Sequence, residues 1–176
     1  MNLSEKIKNS IRDIKDFPKK GIVFKDITPI LLDPELCNEI VDAFVAHIKP
    51  SKPDAIACVE ARGFFFGTLI AQKLQLPFIP IRKKGKLPYD TISHSYDLEY
   101  GSATIEMHND AIQPNWNVLI HDDLLATGGT ANAAAELVKS VGANVLGFSF
   151  LIDLTFLNGQ SILKDHNENI ISLVEI

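Results

Sequence analysis

Cysteine is scarce in this 176-residue chain: Cys37 and Cys58 are its only two. Each sits inside an apolar segment, so the pair suggests buried free thiols of a reducing compartment rather than a disulfide framework. Long hydrophobic runs are missing as well, and none approaches the ~18 residues of a membrane span. The opening MNLSEKIKNSIRDIKDF is charged throughout and has no apolar core of signal-segment length. There is no excess of positive charge: 17 basic against 22 acidic side chains give a net −5. That balance gives no sign of a nucleic-acid footprint, yet it leaves room for a small anion held by backbone dipoles and a few cations. Gly/Ser-rich linkers, internal repeats and low-complexity tracts are absent too. The expectation is a cytoplasmic protein with one domain over residues 1–176 and neither membrane nor nucleic acid as partner.

What the chain does contain is rhythm. Leu3, Ile7, Ile11 and Ile14 recur at helical spacing and predict a helix over 3–14, with Ser4 as a possible cap. Pro18, Gly21 and Pro29 break that pattern around a short extended piece, Ile22–Ile27. A second helix over 34–48 is closed by Pro50 and Pro53. Strands and helices then alternate: strands at 55–60, 77–83, 103–108, 117–123, 144–154 and 169–176, helices at 63–74 and 128–141. Apolar strands alternating with helices indicate an α/β fold with a mostly parallel sheet covered on both faces. Ligands of such sheets sit beyond the carboxyl ends of the strands, where Glu60-Ala61-Arg62 and Asp122-Asp123 fall.

The stretch VLIHDDLLATGGTA (118–131) carries the most chemistry. Two adjacent acids precede a turn with Gly128 and Gly129, and a helix follows. The glycines allow close backbone approach, and amides at a helix start favour an anion such as phosphate. Carboxylates repel phosphate and accept hydrogen bonds, so they require a diol or a hydrated cation. Because faces alternate along a strand, both acids are expected where the chain leaves the strand and turns. Ribose 5-phosphate carries a diol and a phosphate at suitable separation; the plainer alternative is an aspartate capping the helix. Neither the Lys-Ser/Thr ending of a P-loop nor a G-x-G-x-x-G fingerprint is present, which argues against a nucleoside triphosphatase and a dinucleotide site.

That stretch resembles the phosphoribosyl-pyrophosphate signature of type I phosphoribosyltransferases. Residues 11–31, EARGFFFG (60–67), IRKKGKLP (81–88) and LEYGSATIEMH (98–108) extend the likeness to the family's adenine-specific branch, over roughly residues 10–156. The resemblance implies the type I phosphoribosyltransferase fold: a twisted, mostly parallel sheet flanked by helices, an N-terminal hood over about residues 1–33 that contributes the base site, and a long mobile lid. It implies transfer of phosphoribosyl from 5-phospho-α-D-ribose 1-diphosphate to adenine, giving AMP and diphosphate. Mg²⁺ is expected on the diphosphate substrate, with no direct protein ligand, and a homodimer is expected too. Lys25, His121 and Ala103 depart from residues usual in the family, which more often shows Arg, an aliphatic residue and Asp there.

The resemblance also assigns roles. Asp122 and Asp123 would hold the ribose hydroxyls, and Ala126, Thr127, Gly128, Gly129, Thr130 and Ala131 the 5′-phosphate. Glu60, Ala61, Arg62, Arg82 and Lys86 would take the diphosphate, with a cis peptide at Glu60-Ala61. Val23, Phe24 and Lys25 would contact adenine, with Leu124 closing its opposite face. Arg62 and Glu99 are the expected catalytic residues, Glu99 as a neutral acid donating to adenine N7 from a lid over 84–101. Plainer readings stand beside these: a surface ion pair for Arg62, a solvated face for the basic run 82–86, core packing for Phe64, Phe65 and Phe66, and a hydrogen-bonded histidine near the site for His121. A 6-oxopurine phosphoribosyltransferase and a non-catalytic sensor of the same donor are the competing functions.

Overall fold

The structure, a computed structural model, describes residues 1–97 and 101–176. The role expected of Glu99 therefore lies outside the described residues. The chain divides into two compact units, Met1–Ala43 and Phe44–Ile176.

In the first unit, helix α1 spans Leu3–Ser10. Its cap is Asn2 rather than Ser4: the Asn2 side chain accepts from the Glu5 amide at 2.9 Å, and Glu5 returns the favour to the Asn2 amide at 2.9 Å. The helix stops short of the predicted residue 14 because Ile11 turns extended and Arg12–Lys15 (β1) pairs antiparallel with Val23–Asp26 (β2). The helical spacing continued through Ile11 to Ile14 by coincidence. Ile14 instead faces Phe24 across the ladder, and Arg12 pairs with Asp26 at 2.8 Å. Helix α2, Pro34–Ile48, starts at Asp33, whose carboxylate accepts from the Glu35 and Leu36 amides.

The second unit is built on a seven-stranded sheet. Its strands are β3 (Ala55–Val59), β4 (Phe78–Lys83), β5 (Thr91–Asp97), β6 (Ser102–His108), β7 (Asn117–Leu125), β8 (Asn144–Asp153) and β9 (Ile170–Glu175). They lie in the order β5-β6-β4-β3-β7-β8-β9. The run β4-β3-β7-β8-β9 is parallel, while β5 and β6 complete one edge antiparallel. Helices α3 (Gly63–Leu74) and α4 (Gly129–Ser140) pack on the sheet, and a short α5 (Gln160–Leu163) packs beside α4. All five residues of β3 are buried, as their unbroken apolar run requires.

Two expectations change here. Residues 84–101 show no apolar period, yet 91–97 form strand β5, paired with β6 from Thr91↔His108 to Asp97↔Ser102. An edge strand is covered on little of its surface, so polar TISHSYD pays little for exposure and leaves no apolar alternation to read. The acids also lie short of the strand end rather than at it, because β7 does not stop at residue 123 but continues to Leu125 against β8.

Candidate active site

The parallel register brings three chain segments to one end of the sheet. Cys58 pairs with His121 and Val59 with Ile81, so Glu60-Arg62, Lys83 and Asp122-Asp123 emerge side by side. They enclose a cavity of about 240 Å³ lined by Glu60, Ala61, Arg62, Lys83, Asp122, Asp123 and Leu124, with Val59, Tyr96, Ala103, Ile105 and Thr130 completing the wall. Beside it lies a smaller hollow of about 80 Å³, lined by every residue from Leu124 to Ala131 together with Asp122 and Phe150. The two share Asp122, Leu124 and Thr130.

Glycines set these close approaches. A side chain on Gly63 would lie 2.9 Å from Asp122 Oδ1, so the start of α3 can sit against the acid only without one. Gly128 adopts φ +86°, a left-handed conformation, and a Cβ there would meet Gly159 O and Ile162 Cγ2, both at 2.6 Å. The loop is thereby folded back against the segment around Gly159, and α4 begins with its amides facing the hollow, an arrangement that favours an anion.

Electrostatics divide the site. Asp123 is buried, and Arg62 Nε stands 3.0 Å from its Oδ2. Asp122 keeps part of its surface open, and its Oδ1 accepts from the Asp123 amide at 2.8 Å. Burial, reinforced by the neighbouring Asp123 charge, pushes the Asp122 carboxyl well above the ordinary aspartate range. Burial also raises Asp123, against the pull of Arg62. Two adjacent carboxylates with little water are stabilised by donors or cations brought by a ligand, which a diol or a hydrated metal supplies. Behind them His121 is fully buried, its Nδ1 2.8 Å from Ser149 Oγ, and burial lowers its pKa to about 3. It is thus a neutral packing residue. Burial and the Asp122 charge raise the Cys58 thiol far above its usual value, so it is no nucleophile.

The other candidates fall as follows. The Glu60-Ala61 peptide is cis. Arg82 Nε donates to Glu60 Oε2 and its Nη1 to Lys86 O at 3.0 Å, so Arg82 braces the turn. Neither Arg82 nor Lys86 is among the residues lining the cavity, whereas Lys83 is. In the first unit, Phe24 meets Phe17 edge to face at 5.1 Å, Lys25 Nζ donates to Asp13 at 2.8 Å, and Val23 is exposed. Phe66 is buried and Phe64 packs edge-on to Phe78, but Phe65 is 38% exposed. Sequence reasoning passed over Lys83, Tyr96 and Gly159. Lys83 stood undistinguished in a basic run, Tyr96 lay in a polar segment without period, and Gly159 gives no local hint of what it touches.

A mostly parallel sheet with paired acids beside a hollow at the start of a helix defines a class. Residues 30–171 match the family described as phosphoribosyl transferase domain. An adenine phosphoribosyltransferase of Cytophaga hutchinsonii is 54% identical over 172 residues, covering 98% of this chain and 95% of the relative. The crystal structure of adenine phosphoribosyltransferase from Thermoanaerobacter pseudethanolicus superposes with a TM-score of 0.95 at 48% identity, covering 99% of this chain and 100% of that one. The Saccharomyces cerevisiae enzyme, complexed with an imino-altritol bisphosphate and adenine, gives 0.91 at 39% identity over 97% of this chain and 98% of its own. The chain belongs to the adenine phosphoribosyltransferase family.

Proposed function

We propose that this chain transfers phosphoribosyl from 5-phospho-α-D-ribose 1-diphosphate to N9 of adenine, giving AMP and diphosphate in purine salvage. The observation that carries the reading is the sharing of Asp122, Leu124 and Thr130 between an acid-lined cavity and an amide-lined hollow. A ribose whose diol meets the acids and whose 5′-phosphate enters the hollow uses both at once.

Asp122 and Asp123 accept hydrogen bonds from the 2′- and 3′-hydroxyls and stabilise positive charge as the ribosyl centre becomes oxocarbenium-like. Ala126, Thr127, Gly128, Gly129, Thr130 and Ala131 take the 5′-phosphate through backbone amides and two hydroxyls. Arg62 faces the departing diphosphate, with Glu60, Ala61, Arg82 and Lys86 shaping that end. Val23, Phe24 and Lys25 read the base, and Leu124 packs against it. Glu99 donates a proton to N7 as the N9 proton passes to water, which shifts the adenine tautomer; N9 then attacks as diphosphate leaves, and the N7 proton returns to Glu99, so that AMP forms and the acid is restored. The segment 84–101 acts as a lid that excludes water.

Mg²⁺ fits the site: diphosphate oxygens are hard ligands for it, and the Asp122 and Asp123 carboxylates are acceptors for its bound waters. Bound on the diphosphate, it would offset the leaving group's charge, and Asp122 and Asp123 would be the residues to accept hydrogen bonds from its bound waters. The setting we propose is a cytoplasmic homodimer. Two free cysteines suit a reducing compartment, and Phe65 and Leu69, one turn apart on α3, leave an apolar strip exposed.

Offering adenine, hypoxanthine and guanine in turn with the donor and Mg²⁺, and identifying the product, tests this. AMP from adenine alone supports it. Preferred turnover of a 6-oxopurine, or donor binding without transfer, overturns it.

A further inference from the structure

Tyr96 projects from the polar edge strand β5 onto the loop that begins α4. Its hydroxyl is 3.0 Å from Thr130 Oγ1, and its ring edge lies 3.7 Å from where a Cβ on Gly129 would stand. Thr130 lines both the cavity and the small hollow, whereas Tyr96 lines only the cavity. A hydroxyl has one proton to give and two lone pairs to receive. Without a ligand, either oxygen can be the donor in the Tyr96–Thr130 pair. An anion in the hollow removes that freedom, because it can only accept.

We propose that Tyr96 is a positioning residue for the 5′-phosphate: its O–H donates to Thr130 Oγ1, which turns the single Thr130 proton toward the phosphate. The inference rests on reading the hollow as the phosphate cup. The relay polarises in one direction, so each hydrogen bond strengthens the next, and the one that reaches the phosphate is charge-assisted. The tyrosine ring, laid over Gly129, also shields the loop from water. Edge strand β5 is thereby tied to occupancy of the hollow through one hydrogen bond, at a residue that touches Thr130 and not the phosphate.

Calorimetric titration of ribose 5-phosphate into the parent protein, Tyr96→Phe, Thr130→Ala and the double variant tests the relay. Removing the tyrosine hydroxyl should weaken binding about 3- to 10-fold, the range for one lost hydrogen bond. Tyr96→Phe should add nothing further once Thr130 is alanine. Adenosine, which has the ribose but no phosphate, should bind Tyr96→Phe as it binds the parent. Unchanged ribose 5-phosphate affinity in Tyr96→Phe overturns the proposal, as does an equal loss in the Thr130→Ala background or for adenosine. A parent protein that binds adenosine but not ribose 5-phosphate overturns the phosphate-cup reading itself, and the relay falls with it.

Discussion

Acid should loosen this protein through His121, the buried residue that precedes the paired acids. The ring is fully buried, holds Ser149 Oγ at 2.8 Å through Nδ1, and leaves Nε2 with no hydrogen-bond partner among the described residues. Burial lowers its pKa from 6.5 to about 3, so between those values the unfolded chain binds a proton that the folded one refuses. The stabilisation is therefore complete above pH 6.5 and is lost as pH falls below it, by about 1.4 kcal/mol per unit. From pH 7.5 to pH 5 that amounts to about 2 kcal/mol. Asp122 and Asp123 act with the opposite sign: their raised pKa values make the folded state hold protons more tightly, so their contribution grows as pH falls. Comparison with His121→Gln separates the two, since glutamine still reaches Ser149 but does not titrate. Urea unfolding at both pH values should show the variant losing about 2 kcal/mol less than the parent over this interval. Equal losses would refute the buried neutral histidine.

Replacing Asp122 or Asp123 with Asn should cut turnover on the order of 10²-fold or more while circular dichroism stays unchanged, and near-normal turnover in both variants would remove them from ribose binding. Arg62→Gln should raise KM for the diphosphate donor far more than KM for adenine; equal rises in steady-state kinetics would point to a general structural fault. A Cβ on Gly159 would fall on the carbonyl of Ala126, so Gly159→Ala should distort the phosphate loop, cost roughly 1–3 kcal/mol in a thermal melt and raise KM for the donor. A variant with unchanged melting and KM would show that the loop does not lean on Gly159.

The parts of the fold most legible in the amino-acid order were those whose neighbours leave no choice. Strand β3 is an unbroken apolar run because both faces are covered, and α3 and α4 begin within a residue of the predicted positions because glycine marks each start. The family likeness was legible for a related reason, since the stretch 118–131 that carries it is local and contiguous. Legibility failed where long-range pairing decides conformation. Ile11 and Ile14 fit a helical period, but pairing with β2 draws residues 12–15 into a strand. Edge strand β5 satisfies its backbone through β6 and so needs no apolar pattern. The same limit applied within the site: that Lys83 faces the cavity while Arg82 turns to Glu60 follows from strand alternation and the β4–β6 register, neither of which a run of basic residues reveals.

Every role proposed for the site depends on one ribose phosphate spanning the paired acids and the glycine loop. A crystal structure of the protein with AMP tests it most directly. The 5′-phosphate should lie within hydrogen-bond distance of the amides of residues 127–130, and the ribose hydroxyls against Asp122 and Asp123. A phosphate bound elsewhere, or ribose hydroxyls turned away from both acids, would contradict it.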